Sequence, residues 1–235
     1  MYLAVTSASD ARKLQEDLNK FGEWEKKWHM EFHPAKCQVL TVTRKRNPIM
    51  HDYSLHGQIL EHVTAAKYLG VTFTLDMSWN QHINDITSKA NRTLGFVRRN
   101  LQINSPKLKT AAYKTLVRPL LEFAPSVWDP FTQGNIKKME MVQRRAARYV
   151  TNRYHNRSSP TDMLNQLQWT TLQKRREQQR LVMMYKIHHG LVAVPAATYM
   201  TPVIRTTRHS HPLSYQVPHY IPDYARFSNP GLEQP

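Results

Sequence analysis

The hydrophobic periodicity of this 235-residue chain changes at Trp79. Before it, β-branched runs at residues 37–43 and 68–74 predict short strands, and a helical pattern over residues 9–30 precedes them. After it, apolar residues recur at helical spacing, as in Ile83, Ile86, Ala90, Leu94 and Val97. The pattern therefore predicts an α+β fold, with a helix and antiparallel strands first and an all-helical part after about residue 78.

Composition excludes several classes of protein. Hydrophobic residues make up 40% of the chain, which is enough for a core. The single cysteine, Cys37, excludes an intramolecular disulfide and a Cys-rich zinc site. No run approaches the ~20 apolar residues of a membrane span, and Met1–Val5 is too short for a secretory signal. We expect an intracellular protein, cytoplasmic or nuclear, that is not secreted and has no membrane contact.

The net charge of +16 is concentrated in two helical blocks. Residues 1–85 contain ten basic and ten acidic residues, whereas residues 86–118 contain eight basic residues and no acidic one. Residues 135–180 contain eleven basic and three acidic residues. A field of this sign attracts polyanions and releases their counterions, so nucleic acid is the expected partner. A solvated basic surface without a specific partner is the alternative.

Several ordered segments together carry a family resemblance. Residues 24–37 read Trp-Glu-Lys-Lys-Trp-His-Met-Glu-Phe-His-Pro-Ala-Lys-Cys, and residues 66–73 read Ala-Lys-Tyr-Leu-Gly-Val-Thr-Phe. With residues 94–101, 116–124 and 142–148, they resemble the downstream palm and the thumb of a reverse transcriptase from a non-LTR (LINE-type) retrotransposon. The resemblance covers roughly residues 1–190, and His33 replaces an asparagine that is usual in the family.

Four regions are expected, the last of them from the proline content and lack of period beyond Pro195 and the others from the resemblance. Residues 1–77 would be a partial palm with a primer-grip-like hairpin, and residues 78–151 a helical thumb. Residues 152–194 would be a helical extension, and residues 195–235 a Pro-rich irregular tail. Leu69, although it lies within the hairpin motif, is expected to be a core residue.

The candidate nucleic-acid-binding residues follow from this division. In the hairpin, Gly70 would let the backbone approach a primer strand, and a thumb helix contacts phosphates through basic side chains. The full set is Lys67, Tyr68, Gly70, Lys89, Arg92, Arg98, Arg99, Lys107, Lys109, Arg144, Arg145 and Arg148.

Catalytic residues are not expected in this chain. Two-metal nucleotidyl transfer needs paired carboxylates, and the resemblance implies that the family's Asp-Asp pair would lie a few residues before Met1. The adjacent Glu16-Asp17 are expected to be a solvated helix surface, and Asp129 is expected to be isolated. Lys36 matches a motif lysine whose role would be vestigial. No metal site or cofactor is expected, although the intact parent enzyme would require magnesium.

The leading hypothesis is a catalytically incomplete fragment of an RNA-directed DNA polymerase that binds RNA, DNA or RNA–DNA hybrid. One alternative is a basic helical protein-interaction module, or a non-functional pseudogene product. A sheet edge exposed on Val39, Val42 or Val71 would then be the site for a protein partner. Another is activity with a separately encoded upstream half.

Overall fold

The computed structural model describes residues 1–43, 45, 47–101, 104–155, 158–203 and 214–216. The chain divides into two compact units, Met1–His82 and Ile83–Pro235. The division into four regions stays a prediction. Most of the predicted tail, residues 204–213 and 217–235, lies outside the described residues, and so do Arg44 and Arg46.

The first unit begins with helix α1, Ala8–Trp28. Ser7 is its N-cap, and the side chains of Ser7 and Asp10 each accept a hydrogen bond from the other residue's backbone N–H. This reciprocal capping box satisfies donors that the first turn leaves without helical partners. His29 ends the helix in the left-handed conformation, at φ 53°. The predicted helix over 9–30 is therefore present, with slightly earlier bounds.

Six short strands follow α1 among the described residues. They are β1 Gln38–Leu40, β2 Ser54–Leu55, β3 Gln58–Ile59, β4 Glu61–Val63, β5 Ala65–Tyr68 and β6 Val71–Thr74. Among the described residues, β2–β3 and β5–β6 pair antiparallel, whereas β1–β4 pairs parallel. The parallel pair corrects the expectation of antiparallel strands alone. The β2–β3 hairpin lies between β1 and β4 in sequence, so the chain has enough length to return in the same direction.

The core of the first unit lies between α1 and the β2–β3 hairpin. Ala11 on α1 packs in one buried cluster with Tyr53, Leu55 and Leu60. Gln15 of α1 bonds both backbone groups of Ser54, accepting from its N–H and donating to its carbonyl at 2.9 Å each. The helix thus covers backbone groups that a two-stranded pair leaves open.

The second unit is mainly helical in its described part, which also contains an antiparallel bridge between Pro202 and Tyr215. Its helices are α2 Asn80–Asn100, which starts in the first unit, α3 Pro106–Ala112, α4 Arg118–Leu121, α5 Pro125–Trp128, α6 Gln133–Thr151, α7 Pro160–Gln166, α8 Leu172–His188 and α9 Ala196–Tyr199. A π-helical segment, Tyr113–Val117, joins α3 to α4. The predicted α+β fold class is confirmed.

Helix α6 is the central element of the second unit. It buries Met139, Val142 and Ala146, and it packs against α3, α7 and α8. None of the helices described here combines the length and the apolar character that a membrane span requires.

Candidate nucleic-acid interface

The β5–β6 hairpin carries the first group of predicted binding residues at its tip. Leu69 and Gly70 form its two-residue turn, both with positive φ (46° and 86°), which matches a type I′ turn. Tyr68 and Leu69 are 67% and 75% exposed, and Lys67 is exposed as well. The expectation that Leu69 is a core residue is therefore wrong. The single strand predicted over 68–74 is likewise wrong, because the turn interrupts it.

Helix α2 carries the second group. Lys89, Arg92 and Arg99 are exposed, and at about 100° per residue they lie opposite the buried side that contains Ala90 and Leu94. We call these three residues the outer cations of α2. None of the three is part of the buried core, so their charged groups are accessible to a polyanion.

Arg98 differs from the outer cations. Its guanidinium carbon lies 5.1 Å from the ring centroid of Tyr154, within the range of a cation–π contact. Tyr154 belongs to the segment that directly follows α6, so Arg98 faces that segment. It is exposed, but part of its interaction is already with this protein.

The basic residues of α6 also divide into two kinds. Arg145 donates to the side-chain oxygen of Asn91 at 2.9 Å, and Lys138 donates to that of Asn84 at 2.8 Å. The two contacts lie seven residues apart on α2 and seven residues apart on α6, in the same order along both helices. Helices α2 and α6 therefore run parallel here, and we call this line of contact the α2–α6 seam. Arg145 therefore has a structural partner, whereas its neighbour Arg144 is exposed and Arg148 is half-buried.

Helix α3 supplies the last two predicted residues. Lys107 is exposed at its N-terminal end. Lys109 is half-buried, donates to the backbone carbonyl of Tyr149 at 3.4 Å and lies 4.9 Å from that ring's centroid. Lys109 thus joins α3 to α6, and it is less available to a ligand than Lys107.

A partly buried ionic cluster was missed in the sequence. Glu122 accepts from Arg175, with one contact at 3.0 Å, and lies 3.4 Å from Arg118. Asp129 accepts from Arg176 at 2.8 Å and also pairs with Arg180. Asp129, which has no adjacent carboxylate in the sequence, thus has two arginine partners. Arg175 and Arg176 lie about fifty residues from their acidic partners in sequence, so no local spacing could reveal those two pairs.

The cluster changes the electrostatic account of the second basic block. Burial lowers the pKa of Arg176, whereas the hydrogen bond to Glu122 raises the pKa of Arg175. Burial raises the pKa of the nearby Glu140 carboxyl, against the opposing hydrogen bond from the Gln173 N–H. Arg118, Arg175, Arg176 and Arg180 thus each have an acidic partner, and the four arginines share Glu122 and Asp129. The outer cations of α2, Lys107 on α3 and Arg144 on α6 are exposed outside this cluster.

The carboxylates do not converge within the part of the chain that the structure describes. Glu16 and Asp17 are exposed on α1, where Asp17 pairs with Lys20 at 3.0 Å. No group of three or more His, Cys, Asp or Glu among the described residues could hold a metal ion. Lys36 is exposed at the end of a single 3₁₀ turn, Pro34–Lys36, before β1.

Comparison with known proteins gives a consistent set of relatives. A probable RNA-directed DNA polymerase from the transposon BS of Drosophila melanogaster is 28% identical over 60% of this chain and 16% of its own length. The RNA-directed DNA polymerase from the mobile element jockey of the same organism is 28% identical over 63% of this chain and 16% of its own. A probable RNA-directed DNA polymerase from the transposon X-element is 23% identical over 59% and 15%.

The relatives confirm the resemblance to retrotransposon reverse transcriptases. The chain spans about one sixth of the length of the curated relatives that it matches. No family model matches it, and no solved structure matches it. The relationship therefore rests on sequence similarity to one segment of much longer proteins.

Proposed function

We propose that this chain, which is related to the RNA-directed DNA polymerases of retrotransposons, binds RNA, DNA or RNA–DNA hybrid through its helical unit. The observation that carries the proposal is the row of outer cations on α2, Lys89, Arg92 and Arg99. They are exposed in a segment, residues 86–118, that contains no acidic residue. Arg144 on α6 and Lys107 on α3 add exposed positive charge in the same unit.

The chemistry of these side chains predicts phosphate-directed binding. Guanidinium and ammonium groups neutralise phosphates and release condensed counterions, which favours association without reading the bases. The affinity should therefore depend steeply on salt and weakly on sequence. The β5–β6 tip, with Lys67, Tyr68 and Gly70, is proposed as a second contact on the first unit, where the related enzymes would grip a primer.

Charge reversal tests the proposal. The variant Arg92→Glu/Arg99→Glu should lose most of its affinity for a fluorescently labelled oligonucleotide, measured by anisotropy at low salt. The matched control is Lys26→Glu/Lys27→Glu, which reverses two exposed charges at the end of α1. Equal losses in the two variants would show a non-specific effect of net charge and would overturn the assignment to α2.

We further propose that residues 1–235 do not polymerise by themselves and need no metal to bind nucleic acid. The support is the position of Glu16-Asp17 on an exposed helix face, where Asp17 is paired with Lys20. Primer extension on the purified chain should give no product, and chelation should leave oligonucleotide binding unchanged. Template-dependent synthesis that chelation abolishes would sink this part of the proposal, and synthesis restored by an upstream fragment would favour a split enzyme.

A protein-interaction module is the second candidate function. Helix α8 exposes Leu181, Val182, Met184 and Tyr185, an unusual amount of apolar surface for one helix. The predicted sheet edge gives less support, because Val42 is exposed but Val71 is buried. A stable protein complex or self-association, without oligonucleotide binding at low salt, would favour this candidate over the first.

A further inference from the structure

Phe96 occupies an unexpected position on α2. Its side chain is 56% exposed, and it lies on the helix face opposite the buried Ala90 and Leu94. Three and four residues away, on the same face, are Arg99 and Arg92, and Lys89 follows one turn further towards the N-terminus. We call Lys89, Arg92, Phe96 and Arg99 the α2 stripe. A large apolar ring is thus held in water between cations.

The conformation of Arg99 depends on the glycine that precedes Phe96. A Cβ atom added at Gly95 would lie 3.1 Å from Nη1 of Arg99, so the Arg99 side chain folds back along the helix over Gly95. Gly95 leaves room for that conformation. Asp85 lies one turn before Lys89, outside the stripe, and the next acidic residue along the chain is Glu122.

The composition of the stripe matches single-stranded nucleic acid. An aromatic face stacks on an unpaired base of any kind, and flanking arginines pair with phosphates. Along α2, Arg92 lies about 6 Å before Phe96 and Arg99 about 4.5 Å after it. Both side chains are long enough to reach the phosphates on either side of one stacked base. A fully paired duplex offers no free base face except at its ends.

We infer that Phe96 is a stacking residue for an unpaired base of single-stranded RNA or DNA, with Arg92 and Arg99 on the adjacent phosphates. This inference rests on the proposed nucleic-acid binding and adds a preference for single strands or frayed ends. It also assigns a role to an aromatic residue that phosphate-directed binding alone would leave without one.

The test compares two phenylalanines of matched exposure in the same unit. Phe96→Leu should weaken binding of the full chain to a single-stranded oligo-dT by about 5- to 100-fold, the range that stacking on one base supplies. Its affinity for a long DNA duplex should stay within about twofold, because phosphate contacts remain. Phe96→Tyr should retain the single-strand affinity. Phe123→Leu, at a residue that is 55% exposed, should change neither affinity.

A second readout reports stacking directly. A 2-aminopurine in an otherwise oligo-dT strand should be quenched by the wild-type chain and less by Phe96→Leu at saturation. Unchanged single-strand affinity and quenching in Phe96→Leu would overturn the inference while leaving the proposed function intact. Equal losses for single strand and duplex would also overturn it. If the wild-type chain binds neither probe at low salt, both the inference and the proposed function fail.

Discussion

At the scale of single residues, Arg176 is the clearest case of a charge with a structural role. It is 1% exposed and donates to Asp129 at 2.8 Å. Its truncation would remove one of the two arginine partners of Asp129 and leave a cavity where a large buried side chain packs. Arg176→Ala should therefore lower the free energy of unfolding by about 3 kcal/mol, measured by urea denaturation.

The control for Arg176 lies two residues earlier on the same helix. Lys174 is exposed on α8, so Lys174→Ala should change the free energy of unfolding by less than about 0.5 kcal/mol. Similar small losses in both variants would contradict the buried ionic cluster.

The capping carboxylate of α1 predicts a dependence on pH. Hydrogen bonds from Thr6 and Ser7 hold the pKa of Asp10 well below its ordinary value of 3.8. A lowered pKa stabilises the fold above the unfolded-state value, and that stability is lost as the pH falls below about 4. Asp10→Asn should thus be less stable than wild type at neutral pH, and the difference in melting temperature should shrink on acidification.

Asp17→Asn is the matched control for Asp10→Asn, because Asp17 is exposed on the same helix outside the capping box. A melting difference between wild type and Asp10→Asn that persists unchanged at low pH would argue against the capping role.

At the scale of elements, the β5–β6 hairpin shows why Leu69 is misplaced by sequence reasoning. A leucine is apolar, but it stands here in a turn with φ 46°, where asparagine is more easily accommodated. Leu69→Asn should raise the free energy of unfolding by about 0.5 kcal/mol. Ile59→Asn, at another exposed apolar position but inside strand β3, should not. Destabilisation by Leu69→Asn would restore the core interpretation.

The adjacent residues Arg144 and Arg145 on α6 have different roles, because Arg145 contacts α2. Arg145→Gln removes the hydrogen bond to Asn91 and should lower the free energy of unfolding by about 1 kcal/mol. Arg144→Gln should leave stability within about 0.5 kcal/mol and weaken oligonucleotide binding more. If Arg145→Gln is the variant that loses more affinity at unchanged stability, the division between structural and binding arginines is wrong.

Elements set by local rules were predictable from the sequence. They include the capping box of Ser7 and Asp10, the turn at His56-Gly57 and the apolar periodicity of α2. Each depends on residues within a few positions of each other. The parallel β1–β4 pair and the pairing of Asp129 with Arg176 depend on contacts across long stretches of chain. No local periodicity encodes such contacts, so sequence reasoning missed both.

At the scale of the whole molecule, charge counting draws attention to two basic blocks but does not divide them, and their binding of nucleic acid stays a prediction. The exposure of the α2 cations could be expected from the amphipathic pattern of that helix. Charge counting could not distinguish Arg99, which is exposed, from Arg175, which pairs with Glu122. It also overlooked Phe96, although an aromatic residue on the polar face of a predicted helix is visible in the sequence.

The most direct test of the account is the salt dependence of oligonucleotide affinity for the wild-type chain and for Lys89→Gln/Arg92→Gln/Arg99→Gln. Each lost phosphate contact on a single strand should reduce the slope of log affinity against log salt by about 0.7. Phosphate-directed binding through the outer cations predicts a steep slope of log affinity against log salt for the wild-type chain. The magnitude of that slope should be smaller by about 2 in the variant. A wild-type affinity independent of salt, or a variant with the wild-type slope, would contradict it.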